Sequence, residues 1–192
     1  MSVVLVHCDA HRSLIKVCKA HGVPCEHPAP ERHQGNAAIE RQIGVALAGL
    51  RALLATAGGP NCVWPFAGHT FAVNDTCARR AGAYSARQAS GYEDDFRTFV
   101  WGQLVFYKPA PTIIKMAKTD HPLRAGVFLD YYMWPDGRFS GQYVIADLSD
   151  FVGKSLHHRA GPKEFKLSLH HTEVVCDPVG SADAVFPILE NI

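Results

Sequence analysis

The chain has 192 residues, of which 47% are hydrophobic, and its formal net charge is +1 at pH 7. This length fits one ordinary domain or two small ones. No apolar run approaches the length of a transmembrane helix, so we expect no membrane-spanning segment. The six scattered cysteines include no Cys-x-x-Cys pair, and the sequence starts without the basic-then-apolar layout of a secretory signal. These features predict a reduced, intracellular protein rather than a disulfide scaffold.

The two halves of the chain differ in charge. Residues 1–90 contain nine Lys or Arg and five Asp or Glu, a balance of +4, whereas residues 91–192 contain ten and thirteen, a balance of −3. The mild basic excess of the first half permits nucleic-acid binding without demonstrating it. Acidic residues are scarce in that half, and Asp9 and Glu40 are two of its five.

The first 77 residues alternate between predicted strands and predicted helices. The valine-rich run SVVLVHC predicts a buried strand that ends at Asp9, and RSLIKVCKAHG predicts a helix that stops at Gly22. A second short strand in VPCEH and a Pro- and Gly-rich loop lead into one long helix. Another helical stretch follows from Trp64 to Asn74. This order predicts the α/β class for residues 1–77.

The long helix combines an apolar stripe with an early acid. Glu40 falls in its first turn, where a carboxylate complements the positive end of the helix dipole. Glu40 is therefore open to two interpretations, a surface charge that suits the helix dipole or one half of a catalytic pair. The apolar residues recur every three or four positions, which predicts packing on a core, and they are Ile39, Ile43, Leu47, Leu50 and Leu54.

Beyond residue 77 the sequence changes from helix-like to strand-like. Residues 78–99 are predicted to be a linker or helical connection, residues 100–178 a small all-β module, and residues 179–192 a tail. The strand-like runs are GQLVFYKP, RAGVFLDYYM, GQYVIADL and EFKLSLHHTEVV. The fold class predicted for the whole chain is thus α/β followed by all-β. The residues expected at the core of the β module are Phe106, Val127, Phe128, Tyr143 and Ile145.

Asp9 and Glu40 are placed where two carboxylates can meet. Asp9 follows a predicted strand, and Glu40 opens a helix that could pack beside that strand. Carboxylates so placed can share Mg²⁺, which prefers oxygen ligands, and two such ions can clamp the attacking and leaving oxygens of a phosphodiester. That chemistry usually needs a third acidic ligand. The alternative interpretation of Asp9 is a residue that caps the turn after the strand.

Several segments resemble retroviral and retrotransposon integrases. QGNAAIER, residues 34–41, resembles the loop-and-helix motif of that family, and VHCDAH resembles the strand that carries its second catalytic aspartate. The stretch from Lys16 to Gln34 resembles the segment between the two acids. LRALLATAGGPNCVWPFAGHTFAVNDT, DFRTFVWGQLVFYKP and RAGVFLDYYMWPDGRFSGQYVIADL resemble the helices and the small β-barrel of copia-type Pol polyproteins. The resemblance covers roughly residues 3–178.

The resemblance implies a truncated ribonuclease-H-like integrase core followed by a small Src-homology-3-like β-barrel. Asp9 and Glu40 would be the second and third members of the family's acidic triad. They would bind Mg²⁺ or Mn²⁺ for DNA end processing and strand transfer. The implied site also includes Gln34 and Asn36, which match polar motif positions near the DNA. Three basic residues, Arg41, Lys16 and Lys19, would contact phosphates.

The departures from the family pattern shape the expected function. The family's first aspartate lies on an earlier strand, whereas only eight residues precede Asp9 here. The spacing from Asp9 to Glu40 is 31 residues (40 − 9), which is shorter than usual, and the motif's glycine is Ala37. We therefore expect a fragment of a retroelement integrase that is inactive alone because the first catalytic aspartate is missing. The alternative is a non-catalytic nucleic-acid- or protein-binding module derived from an integrase.

The integrase interpretation also predicts partners and location. The partners would be the DNA ends of the element and its target DNA, a homo-oligomer is left open, and a functional integrase would act in the nucleus. Zinc binding is a competing possibility for the start of the chain. Cys8, His11, Cys18 and His21 follow one another at short spacings that suit a zinc site, and Cys25 is nearby. The intervening RSLIKV resembles a helix face, which favours core cysteines and surface histidines.

Overall fold

The protein combines a short parallel strand pair, several helices and a five-stranded antiparallel sheet, and so is a mixed α/β structure. A computed structural model describes residues 5–8, 11–27, 37–78, 85–89, 91–92, 96–115, 117–154, 156–157, 159–161, 163, 166–178 and 183–189. The chain divides into two compact units, residues 1–45 and residues 46–192. The predicted boundaries at residues 77, 99 and 178 remain predictions.

The first unit contains a parallel strand–helix–strand motif. Strand β1 (Val6–His7) pairs in parallel with strand β2 (Cys25–Glu26), and helix α1 (Arg12–Ala20) connects them. Parallel strands need such a crossover because the chain must return to the same end of the sheet before the second strand begins. Gly22, with φ +64°, takes the left-handed conformation that ends α1, as the sequence predicted.

The long predicted helix is α2 (Ala37–Ala57), and the division between the two units falls within it. It ends at the predicted stop, where Gly58 has φ +69° and so adopts a conformation that favours glycine. A single 3-10 turn at Asn61–Val63 leads into helix α3 (Trp64–Cys77), and the short helix α4 (Ala86–Ala89) follows. No helix within the described residues is long and apolar enough to cross a membrane.

The antiparallel sheet lies in the second unit. Its strands are β3 (Leu104–Tyr107), β4 (Arg124–Met133), β5 (Phe139–Asp147), β6 (Leu169–Thr172) and β7 (Val175–Cys176). Each of the four strand-like runs of the sequence contributes to the sheet, and the last run supplies two strands. Neighbouring strands follow the order β6-β5-β4-β3-β7.

The two outer strands of this sheet are joined by a very short connection. In a flat sheet of five strands, the outermost strands would lie about 19 Å apart, four spacings of about 4.8 Å. Only two residues separate the end of β6 at Thr172 from the start of β7 at Val175, and the three steps between these Cα atoms span at most about 11 Å. The sheet must therefore curl until its edges approach. Hydrogen bonds of Lys108 agree, since its carbonyl accepts from Thr172 Oγ1 at 2.8 Å and its N–H donates to Val174 O at 3.2 Å.

The core of the curled sheet confirms most of the predicted interior. Val127, Phe128, Tyr143 and Ile145 are buried. The prediction was wrong for Phe106, which is only half-buried, because β3 turns its neighbours Val105 and Tyr107 into the core instead. Side chains alternate between the two faces of a strand, so an error of one residue exchanges the buried and exposed sets.

Helix α3 is held against the sheet by polar side chains as well as apolar packing. Thr70 Oγ1 donates to the carbonyl oxygen of Leu129 at 3.0 Å, and Asn74 Nδ2 donates to the carbonyl oxygen of Phe99 at 2.8 Å. The buried hydroxyl of Tyr131 donates to Asn74 Oδ1 at 2.8 Å and accepts from the N–H of Phe99 at 2.7 Å. Buried polar groups cost free energy unless they are paired, so these bonds fix how α3 meets the sheet.

Candidate functional site

The described part of the predicted integrase site is solvent-exposed. Glu40 lies in the first turn of α2 and Arg41 directly follows it, and both side chains are exposed. Lys16 and Lys19 lie on α1 and are exposed as well, with Lys19 in the last turn, where a cation complements the helix dipole. Together with Arg12, these lysines are spaced by four and three residues and thus form one basic face of α1.

The other predicted site residues, Asp9, Gln34 and Asn36, lie outside the described residues. The predicted approach of Asp9 to Glu40 therefore remains a prediction. Within the part of the chain that the structure describes, no three His, Cys, Asp or Glu side chains form a group that could hold a metal ion. Of the two residues predicted to bind Mg²⁺, only Glu40 has a described position, and its exposed carboxylate carries the oxygen donors that Mg²⁺ prefers.

A histidine–aspartate pair joins α3 to β4. His69 Nδ1 lies 2.7 Å from Asp130 Oδ1, and the same oxygen accepts from Thr70 Oγ1 at 3.3 Å and from the N–H of Tyr131 at 2.8 Å. A β-bulge places Asp130 here, since Phe128 pairs with Ile145 while Asp130 pairs with the adjacent Val144. His69 remains 44% exposed, so this pair lies at the surface end of a buried network.

A second polar cluster surrounds the buried carboxylate of Asp147. Its Oδ2 accepts from Tyr107 Oη at 2.9 Å and from Arg124 Nε at 2.6 Å, and its Oδ1 accepts from the Ser149 hydroxyl at 2.6 Å and from the Ser149 N–H at 3.0 Å. Burial raises the pKa of Asp147, but these hydrogen bonds outweigh burial and hold the pKa well below its usual range. The cluster ties the end of β5 to β3 and β4, which indicates a structural role.

Three aromatic rings remain exposed on the outer face of the sheet. Tyr132 is 42% exposed and Trp134 is 51% exposed, with ring centroids 6.1 Å apart. The exposed His171 ring meets Tyr132 edge-on at 5.0 Å. Of the three tryptophans of the chain, Trp101 is buried, whereas Trp64 and Trp134 are exposed.

No protein-family model matches the chain, and no curated protein matches it. The integrase resemblance therefore rests on the quoted sequence motifs and their order along the chain.

Sequence reasoning missed both polar clusters for the same reason. His69 and Asp130 are separated by 61 residues, and Tyr107 and Asp147 by 40, so no local motif connects either pair. Asp147 carried one local signal, since Asp followed two residues later by Ser is typical of a carboxylate that accepts from the backbone at the start of a helical turn. His69 carried none.

The His69–Asp130 pair predicts a pH-dependent stability. The hydrogen bond to Asp130 raises the pKa of His69 above its ordinary value of 6.5, although partial burial lowers it. The stabilisation is therefore fully present below pH 6.5 and is lost as the pH rises through the folded-state pKa. We expect His69→Gln to lower the free energy of unfolding by no more than about 1 kcal/mol, because His69 is half-exposed.

Urea unfolding at several pH values measures this effect. The difference in unfolding free energy between the protein and its His69→Gln variant should be largest in mild acid and should shrink in mild alkali. His121→Gln supplies the control for the substitution itself, because, within the described residues, the exposed His121 ring meets backbone atoms of Leu123 and not a carboxylate. If the loss of unfolding free energy caused by His69→Gln grew as the pH rose, the proposed stabilisation of protonated His69 by Asp130 would be contradicted.

Proposed function

We propose that the chain corresponds to the C-terminal part of a retroelement integrase core and its following β-barrel, and that it binds DNA without joining strands by itself. The observation that carries this proposal is the order of its elements. A parallel β1–α1–β2 unit precedes a long helix with exposed Glu40 in its first turn, and a curled antiparallel sheet follows. This is the order that the resemblance to copia-type integrases implies for residues 3–178.

Each proposed role follows from the chemistry of a residue and its place in that order. Asp9 lies two positions after the end of β1, and Glu40 lies in the first turn of α2. In the proposed function these two carboxylates hold Mg²⁺ or Mn²⁺, an ion that, when bound, neutralises the charge that develops on a phosphodiester. Two carboxylates supply less negative charge than the three of the family's triad. Positioning and charge neutralisation supply most of the rate in phosphoryl transfer, so we expect this chain alone not to join DNA strands.

DNA binding in this proposal depends on cationic side chains. Lys16, Lys19 and Arg41 are exposed and long enough to reach phosphates, which Lys and Arg contact irrespective of base sequence. Gln34 and Asn36 precede α2 in the sequence and are proposed to lie near the DNA backbone. With a net charge of only +1, the whole chain should bind weakly and with strong dependence on salt.

Binding to a labelled duplex, measured by fluorescence anisotropy over a range of salt concentrations, tests this function. We expect the triple variant Lys16→Gln/Lys19→Gln/Arg41→Gln to weaken binding. It should also reduce the slope of log affinity against log salt by up to about 2.7, since each phosphate contact contributes about 0.9. A matched triple, Lys154→Gln/Lys163→Gln/Lys166→Gln, removes the same charge from the sheet unit and should change the slope less. Equal effects of the two triples would contradict the proposed surface.

A strand-transfer assay with Mn²⁺ completes the test. We expect no joined product from the chain or from its Glu40→Gln variant, with salt-sensitive DNA binding in both. Activity that Glu40→Gln abolishes would overturn the expected inactivity while supporting Glu40 as a metal ligand.

The second candidate function is a non-catalytic binding module, and the exposed rings of Tyr132 and Trp134 favour it. Exposed aromatic side chains stack on unpaired bases irrespective of sequence and also anchor protein partners. The same anisotropy assay, run with a labelled single strand beside the duplex, separates the two candidates. Binding that persists at high salt and is lost in Trp134→Ala would assign the interaction to these rings, because stacking depends less on counterions than phosphate contacts do.

A further inference from the structure

Three cysteine sulfurs gather in the first compact unit. Cys8 follows β1 and Cys25 begins β2, and their Sγ atoms lie 3.3 Å apart. Cys18 is the buried residue of α1, and its thiol shares a hydrogen bond with Cys25. All three are free thiols. The sulfurs thus occupy the place between the helix and the strand pair where apolar side chains usually pack.

We propose that Cys8 and Cys25 form an oxidative modification site at which a hydroperoxide converts the two thiols into one disulfide. A sulfur–sulfur bond is about 2.05 Å long, so the sulfurs need to approach by about 1.2 Å from their present separation. Cys25 pairs in register with Val6, and Val6 and Cys8 point to the same face of β1, so the cysteines are diagonal neighbours on that face. Cys8 lies just beyond the last residue of β1, and its N–H donates to the carbonyl oxygen of Glu26 at 3.1 Å, which holds Cys8 beside β2.

The reaction proceeds in two displacement steps. One thiol of the pair, as its thiolate, attacks one peroxide oxygen, the O–O bond breaks, and the departing oxygen takes up a proton, which leaves a sulfenic acid on that cysteine. The sulfur of the other cysteine then attacks the sulfenic sulfur, the S–S bond forms, and the S–O bond breaks. The leaving oxygen takes up the proton of the second thiol as water. Two thiols are oxidised by two electrons in total, and the peroxide is reduced by the same two.

The exposure and spacing of the thiols select the pair that reacts. Cys8 and Cys25 are partly exposed and their sulfurs lie 3.3 Å apart, so an oxidant can reach either thiol and the other thiol is in place to resolve the sulfenic acid. Cys18, only 8% exposed, is shielded from the oxidant and acts as a neighbour.

Oxidation of the whole reduced chain with hydrogen peroxide tests this site. After quenching, alkylation under denaturing conditions and digestion, mass spectrometry should find a peptide pair that links Cys8 to Cys25, with Cys18 alkylated. The folded chain should yield at least about tenfold more of this pair than the chain oxidised in concentrated urea, where proximity is lost. This comparison uses the unmodified sequence and so does not depend on whether a variant folds.

Variants define the two partners. Cys8→Ser and Cys25→Ser should each abolish the linked pair, whereas Cys176→Ser, which alters an exposed cysteine of the other unit, should leave its yield unchanged. A main product that links Cys18 to Cys25 would overturn the assignment. So would equal yields in the folded and the urea-unfolded chain, or full alkylation of Cys8 and Cys25 after other cysteines have oxidised.

Discussion

Asp147→Ala is expected to lower the free energy of unfolding by about 2–4 kcal/mol, among the largest effects of any single substitution in this chain. The reason lies in the partners that the substitution would leave behind. Tyr107 is fully buried, and its hydroxyl would lose the carboxylate that accepts its hydrogen bond. Arg124 would keep a charge without its counterion, although its 38% exposure lets water replace part of the interaction.

The measurement is urea unfolding at neutral pH, with a surface pair as the control. Asp136 also pairs with an arginine, Arg138, at 2.7 Å, but both side chains are more than half exposed. Asp136→Ala should therefore cost less than about 1 kcal/mol. If the two variants lost similar stability, burial would not govern the strength of these ion pairs and the structural role of Asp147 would be wrong.

Acid should reproduce the effect of Asp147→Ala in the unmodified chain. Because the folded-state pKa of Asp147 is depressed, its stabilisation is present above the unfolded-state value of 3.8 and is lost as the pH falls through the folded-state pKa. The difference in unfolding free energy between the protein and Asp147→Ala should accordingly narrow at acid pH.

Trp101→Ala is expected to cost about 3–5 kcal/mol, because it removes a fully buried indole from the centre of the core. The ring packs in the same cluster as Ala57, Val127 and Leu129. It lies so close to the Gly59 backbone that a Cβ there would come within 2.4 Å of Trp101 Cη2. Neighbouring backbone cannot collapse easily into a cavity of this size, so most of the lost packing should appear as lost stability.

Trp101→Phe provides the matched comparison. The buried Nε1 of Trp101 has no hydrogen-bond partner among the described residues, so phenylalanine removes an unpaired donor while it keeps most of the apolar ring. We expect Trp101→Phe to be at least about 2 kcal/mol more stable than Trp101→Ala in urea unfolding. Equal losses would show that the indole N–H has a partner and contributes to stability.

These two substitutions act on the second unit, whereas the proposed DNA-binding residues Lys16, Lys19 and Arg41 belong to the first. DNA affinity and sheet stability can therefore be followed separately. A variant that unfolds the sheet but leaves salt-sensitive binding intact would locate that binding in the first unit. Loss of both together would indicate that binding needs the sheet, as the second candidate function requires.

The sequence by itself determined the type and order of the regular elements. The glycines after α1 and α2 ended both helices, since their positive φ angles favour residues without a Cβ. Alternating and β-branched runs marked every strand of the antiparallel sheet, because a pleated, half-buried surface selects such residues over short distances. The sequence also placed Glu40 in the first turn of a helix, because that placement depends only on where the helix begins.

Only the tertiary structure decided which distant side chains meet. The phase of β3 depends on pairing with β4, and so Val105 and Tyr107, rather than Phe106, enter the core. The bulge at Leu129 directs Asp130 toward His69. The curling of the sheet brings its two outer strands, β6 and β7, close enough to be joined by a short connection. The contact of Cys8 with Cys25 likewise requires the β1–β2 register. Local propensity acts over a few residues, whereas these contacts are selected by burial and hydrogen bonding between segments far apart in the chain.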